Sequence, residues 1–217
     1  MKIVLIGATG FVGSHLLTEL INRGHQITAI VRDPSKITTE SAAVLAVEGD
    51  VFDTAKLAEQ IKGHNAVISA YNPGWTNPEI YTQFLQGSKS IQAAARQAGV
   101  KRYITVGGAG SLEIAPGVQL IDTPNFPAAF KPGAGAARDY LNILKTENEL
   151  DWTFVSPAIE MSPETAGVRK GTYRTALDNP VFDENKRSII SVEDLAVAIV
   201  DELEQGKFIK KRFTAAY

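Results

Sequence analysis

Gly7-Ala8-Thr9-Gly10-Phe11-Val12-Gly13 stands between an apolar run, Ile3-Val4-Leu5-Ile6, and a helical pattern that sets Leu16, Leu17, Leu20 and Ile21 on one face. Strand, glycine turn and helix in that order build an anion cradle. The glycines let the backbone turn sharply and approach a pyrophosphate with no Cβ in the way. The free N–H groups and the dipole of the helix N-terminus then favour the anion. The glycine spacing alone also fits an ordinary strand–helix turn; the flanking strand and helix supply the context that a dinucleotide site requires. Gly7, Thr9, Gly10, Phe11 and Val12 are the expected pyrophosphate contacts.

Outward from this turn, strand and helix patterns alternate. Gly24 ends the first helix, and Gln26–Val31 reads as a second strand. Residues 44–47 form a third, ending at Gly49-Asp50. Thr54 is the expected N-cap of a helix over 55–62, with Gly63 as its stop. Ala66–Ser69 is a fourth strand, Asn77-Pro78 opens a long helix ending near Gly99, and residues 103–106 and 152–155 are the fifth and sixth strands. This alternation predicts an α/β fold of Rossmann type, a doubly wound parallel sheet with helices on both faces. Two segments interrupt it. Residues 107–133 hold four prolines and little periodicity, and read as a long binding or lid loop. Residues 157–187 are polar and turn-rich, and the stretch 157–190 is expected to form a small substrate-facing lobe within one domain spanning 1–217. Ser191-Val192-Glu193-Asp194 starts a last helix running to Gly206, and residues 212–215 read as a final edge strand.

Composition narrows the function classes. The chain has 217 residues, 44% of them hydrophobic, with a mean hydropathy of −0.05, as in ordinary globular domains. No apolar run approaches the roughly 18 residues of a membrane span, and Met1-Lys2 leads straight into a strand rather than a secretion signal. The absence of cysteine removes disulfides, thiolate metal sites and cysteine nucleophiles, and fits a cytoplasmic location. A net charge of −2 gives no electrostatic reason to expect nucleic acid or an anionic membrane as partner. His15, His25 and His64 lack ligand spacing, so no metal site is expected. No G-x-S-x-G elbow supports a hydrolase.

Four places would carry chemistry. At the end of the second strand, where an acidic residue would bind a ribose 2′-hydroxyl, the chain reads Val31-Arg32-Asp33. A guanidinium there pairs with a 2′-phosphate and stacks on adenine, which favours NADP(H) over NAD(H), with Lys36 as a second charge. The other reading of Arg32 is a solvated side chain partly neutralised by Asp33. Asp50, with the Val51 backbone, either accepts the adenine amino group or serves as a turn residue after Gly49. Ala70 and Tyr71 follow the fourth strand at the crevice where strand order would reverse. Tyr71, Asn72 and Trp75 either wall the nicotinamide or substrate or anchor the loop. Gly107-Gly108-Ala109-Gly110-Ser111 would let a ligand approach the fifth strand's tip, with Ser111 either donating to a carbonyl-like group or capping the loop.

The glycine stretch, Val31-Arg32-Asp33-Pro34, Gly49-Asp50-Val51, Asp151-Trp152-Thr153-Phe154-Val155-Ser156-Pro157-Ala158 and Ile190-Ser191-Val192-Glu193-Asp194-Leu195-Ala196 together resemble atypical short-chain dehydrogenases/reductases. Within them the chain is similar to the NADH-flavin-reductase-like and NmrA-like bacterial group, whose members are often labelled epimerases. The resemblance covers almost the whole chain, and implies a nicotinamide cofactor bound with Gly107, Gly108 and Pro157 among its contacts. It also implies a monomer or homodimer. One departure bears on chemistry. The wider family uses a Tyr-x-x-x-Lys pair as its acid/base. Here Tyr140 and Lys145 are five apart, about 500° of helical turn, which points them ~140° away from each other. Counting back from Asp151-Trp152, the tyrosine and lysine slots hold Ala134 and Arg138. Hydride transfer to an acceptor that needs little acid catalysis, such as free flavin, then remains, with Ser111 as the polar group near the acceptor and Tyr140 behind it. A non-catalytic NADP(H)-binding redox sensor fits the lost pair equally, and a nucleotide-sugar epimerase or dehydratase would need the missing base.

Overall fold

Crossovers from one parallel strand to the next decide where this chain can place a ligand. The computed structural model describes all 217 residues. Lys2–Ile6 forms β1, Phe11–Asn22 α1, Gln26–Val31 β2, Val44–Glu48 β3, Thr54–Ile61 α2, Ala66–Ser69 β4, Ile80–Gln97 α3 and Arg102–Val106 β5. Glu113–Ala115 and Val118–Gln119 are β6 and β7, a short hairpin. Lys131–Leu144 is α4, Asp151–Ser156 β8, Arg174–Ala176 β9, Val192–Gln205 α5 and Lys211–Ala216 β10. The main sheet has eight strands in the order β3-β2-β1-β4-β5-β8-β10-β9. All neighbours are parallel except β9, which runs antiparallel to β10.

Alternate residues of the strands face two cores. Ile3 and Leu5 pack with Leu16 and Leu20 of α1 and with Leu195 and Ile199 of α5. Val4, Ile6, Val67, Tyr103 and Phe154 pack on the other side with Leu57 of α2, Phe84 and Ile91 of α3 and Leu144 of α4. The sheet is thus covered on both faces, which is why its central strands read as near-continuous apolar runs. The chain moves outward from β1 to β2 and β3, then returns to β4 on the other side of β1. The reversal opens a crevice at the carboxyl ends of β1 and β4.

Several local expectations shift. Asp53, one residue before Thr54, caps α2 by accepting from the Lys56 amide at 3.1 Å, and the Thr54 hydroxyl instead meets Ser90 Oγ at 2.7 Å. α3 begins at Ile80, because Asn77 Oδ1 accepts from the Glu79 amide and holds a turn before it. The long loop ends at Phe130: Pro132 sits in the first turn of α4, where its missing N–H costs little. The strand at residues 212–215 is not at the edge. β9, three residues drawn from the polar 157–187 stretch, lies outside it, and β10 is buried along almost its whole length. A strand of three polar or small residues has no alternation to read.

Candidate nucleotide-binding site

Gly7 adopts φ +84°, and a Cβ there would lie 2.6 Å from the Ala70 carbonyl oxygen. The loops after β1 and β4 therefore touch at the reversal point, and only glycine lets them. A Cβ on Gly13 would lie 1.9 Å from the Gly7 carbonyl oxygen, so the first turn of α1 is pressed onto the loop. Gly10 caps that helix in extended backbone and donates to the Gly7 carbonyl at 3.0 Å. No side chain caps the first turn, and the amides of Thr9, Phe11 and Val12 bond to nothing in the chain. Open amides at a helix start, reached through a Cβ-free turn, are a cradle for a pyrophosphate.

Arg32 lies at the tip of β2, exposed. Of the nine arginines it alone has no hydrogen bond or ion pair. Asp33 is engaged elsewhere: it accepts from the Ser35 hydroxyl at 2.6 Å and amide at 3.1 Å, and these bonds hold its carboxyl below the usual range. Lys36 lies exposed in the next turn. Asp50 takes the turn role, accepting from the Phe52 amide at 2.9 Å, while its side chain stays at the surface beside half-buried Val51.

Tyr71 is turned into α3. Its ring occupies the space a Cβ on Gly87 would need, stacks on Phe84 and donates its hydroxyl to the Gln83 carbonyl at 3.2 Å. Burial pushes its hydroxyl to about 12, with Arg32 opposing and Asp50 adding to the shift. Tyr71, Arg32 and Asp50 thus gather at one end of the crevice. Phe52, exposed and edge-on to Tyr71 at 6.5 Å, completes that end. Its place directly after Asp50-Val51 was the available signal for it.

The fifth strand's tip differs from expectation. The phenyl ring of Phe154 fills the space at Gly107, where a Cβ would meet Cζ at 1.8 Å, and Ala134 fills it at Gly110. These glycines admit the chain's own side chains rather than leaving an approach to a ligand. Gly108 keeps an ordinary 3.6 Å spacing from Ala137. Pro157, after β8, is buried. Ser111 is also buried, and Arg212 of β10 donates to its hydroxyl at 2.9 Å. Tyr140 is fully buried, its hydroxyl 2.9 Å from that of Tyr103. Burial holds Tyr140 well above its ordinary range. Neither Ser111 nor Tyr140 presents a proton donor to an open cleft. In the two slots of α4, Ala134 packs under the tip of the fifth strand and Arg138 pairs with Asp122 at 2.9 Å. The histidines bond separately: His15 near Glu193 at 3.4 Å, His25 with Glu204 at 2.9 Å, His64 with Thr28 at 2.8 Å.

A family model described as NAD(P)H-binding matches residues 7–205. The chain belongs to this NAD(P)H-binding family. The match begins at Gly7, where the cradle does. Full-length likeness to solved structures agrees. A proposed epimerase from Bacteroides thetaiotaomicron is 46% identical, with TM-score 0.92 over 100% of this chain and 96% of that one. A proposed exported protein from Burkholderia pseudomallei is 45% identical, with TM-score 0.88 over 100% of both chains. A proposed NADH-flavin reductase from Streptococcus pneumoniae is 37% identical, with TM-score 0.84 over 100% of this chain and 99% of that one. As a member of the NAD(P)H-binding family this chain has an oxidoreductase-type Rossmann fold and a nicotinamide dinucleotide as its cofactor. No helix is long and apolar enough to cross a membrane.

Proposed function

We propose that this member of the NAD(P)H-binding family is an NADPH-dependent reductase of flavin or a similar planar acceptor. The observation that carries the reading is the free guanidinium of Arg32 at the tip of β2, on the adenosine side of the glycine cradle. An unpaired, exposed arginine is suited to a 2′-phosphate, and its neighbour Asp33 is already tied to Ser35. Gly7, Thr9, Gly10, Phe11 and Val12 hold the pyrophosphate, Arg32 and Lys36 the 2′-phosphate, and Asp50 and Val51 meet the adenine. Ala70, Tyr71, Gly108 and Pro157 flank the ribose and nicotinamide. When bound, NADPH supplies a hydride. The protein's part is to orient the two rings and exclude water, because α4 offers no acid/base pair at Ala134 and Arg138. The acceptor must therefore take a hydride without a proton from the protein, which a flavin does. The stretch 157–190 is the lobe over the acceptor, the cysteine-free chain works in the cytoplasm, and it does so as a monomer or homodimer.

The test is loss of NADPH absorbance when the protein is mixed with excess FMN. Turnover well above the uncatalysed rate supports the reductase. A second reading, a redox sensor that binds NADP(H) without turnover, is favoured by the same absent pair in α4. Tight NADPH binding with no acceptor reduced selects it. An epimerase or dehydratase needs the base that α4 lacks and ranks last.

A further inference from the structure

The crevice that opens between β1 and β4 is bounded on one side by residues 70–79, which leave the carboxyl end of β4. On the other side comes the start of α4, which the chain reaches from the carboxyl end of β5. Two aromatic residues, one from each side, meet there. Trp75 and Phe130 pack edge to face, ring centres 5.4 Å apart. Both stay about half in water, Trp75 56% and Phe130 48% exposed. A pair that served only to anchor a loop would be expected to bury more of its rings, as the stacked Tyr71 and Phe84 do, the one half-buried and the other fully.

The indole is nevertheless held in place. A Cβ on Gly133 would lie 2.7 Å from Trp75 Cζ3 and 2.9 Å from Ile80 Cδ1. Glycine is a poor residue in a helix, and α4 carries one in its first turn because the indole and Ile80 take the space a side chain would need. One residue further along, Ala134 packs under the tip of the fifth strand at Gly110, and Phe126 lies against the same point. Trp75 is thus a fixed, electron-rich ring that stays more than half exposed beside the crevice. Flat, electron-poor rings stack on such a surface in offset fashion.

We infer that Trp75 and Phe130 form the seat of the planar acceptor. The identity of that acceptor as a flavin rests on the reductase reading above; the seat itself rests on the geometry of the aromatic pair.

The test is binding, read without turnover. FMN is titrated with protein saturated with NADP⁺, and the flavin's own fluorescence is followed, since stacking on indole quenches it. The wild type is expected to give saturable quenching. Trp75→Ala is expected to weaken FMN binding by about tenfold, the scale of one lost ring stack, with NADP⁺ affinity unchanged. Phe130→Ala is expected to weaken it less, and Trp75→Phe to retain most of it. The unchanged NADP⁺ affinity shows that each variant is folded; should Trp75→Ala fail to fold, Trp75→Phe and Phe130→Ala decide. No saturable quenching in the wild type, or an unchanged FMN affinity in the variants, overturns the seat. FMN binding that depends on Trp75, with no NADPH oxidised, keeps the seat and removes the reductase reading. Turnover of FMN with an unchanged KM in Trp75→Ala does the reverse.

Discussion

Arg212 donates to both the carbonyl and the hydroxyl of Ser111, at 2.8 and 2.9 Å, across 101 residues of chain. Its guanidinium also engages Asp178, in the segment that leads out of β9. One buried side chain on β10 therefore holds the loop after β5 and the segment beside the outermost strand. Ser111 is a fastening point for the wall of the crevice, and its hydroxyl is spent inside the protein.

Arg212→Ala leaves a buried carbonyl and a buried hydroxyl without their partner. It is expected to cost about 2–4 kcal/mol, read as a drop in midpoint in a denaturant melt. Ser111→Ala keeps the carbonyl bond and is expected to cost only about 1 kcal/mol, with NADPH oxidation intact. A Ser111→Ala protein of normal stability that has lost turnover would restore Ser111 as a donor to the acceptor.

Gly13→Ala separates a packing effect from a helix effect. In an exposed helix this change stabilises, because alanine loses less backbone entropy than glycine. Here the new Cβ meets the Gly7 carbonyl oxygen at 1.9 Å, so the turn must open. The expected result is a loss of about 1–3 kcal/mol together with loss of NADPH binding in a fluorescence titration. Gly24→Ala is the control. Its φ is +74° with nothing within 4 Å, so left-handed backbone alone costs about 1–2 kcal/mol and binding is unchanged.

Much of this was legible in the sequence because it rests on short-range rules. The turn from Ile6 to Gly13, the strands flanked by glycine and the Ser191 cap of α5, which accepts from the Asp194 amide at 3.1 Å, are local patterns. What escaped reading is non-local. Gly107 and Gly110 look like openings until Phe154 and Ala134, tens of residues away, are seen to fill them. Arg212 reads as an edge-strand cation until β9 covers it. Tyr140 follows the charged pair Arg138-Asp139 in the sequence, and only the packing of α4 on the sheet sends its hydroxyl to Tyr103. A sequence shows which residues could face a cleft; packing across the chain decides which do.

The Tyr103–Tyr140 pair makes a prediction in alkali. Both rings are buried in the core, and burial favours the neutral hydroxyl, raising Tyr103 to about 12 and holding Tyr140 well above its ordinary value. The folded values stand above the unfolded value of about 10. The neutral form is thus favoured on folding, and that contribution is complete below pH 10. It is lost as pH rises through the folded values. The thermal midpoint of the wild type is expected to fall steeply above pH 10. The Tyr103→Phe, Tyr140→Phe double variant removes both hydroxyls together and is expected to fall less. Tyr140→Phe alone leaves Tyr103 with a weaker set of partners, costs about 1 kcal/mol, and does not move the pH profile of NADPH oxidation between pH 6 and 9. A shift in that profile would mean that Tyr140 exchanges protons with the cleft.

Arg32 is where cofactor choice is expected to be set. Its guanidinium has no partner to give up, so pairing with a 2′-phosphate costs no internal bond. A charge-assisted hydrogen bond contributes about 1.5–3 kcal/mol, or roughly 10–100-fold in affinity. Arg32→Ala is therefore expected to raise the Kd for NADPH by that factor and to leave the Kd for NADH nearly unchanged, since NADH offers no phosphate there. Lys36→Ala, further along an exposed turn, should have the same direction and a smaller effect. The affinity for NADPH should also fall more steeply with salt than that for NADH, because an exposed ion pair is screened. Equal losses for NADPH and NADH in Arg32→Ala would place Arg32 on the adenine ring, where it stacks without reading the phosphate. No loss for either would leave it a solvated side chain that takes no part in cofactor choice.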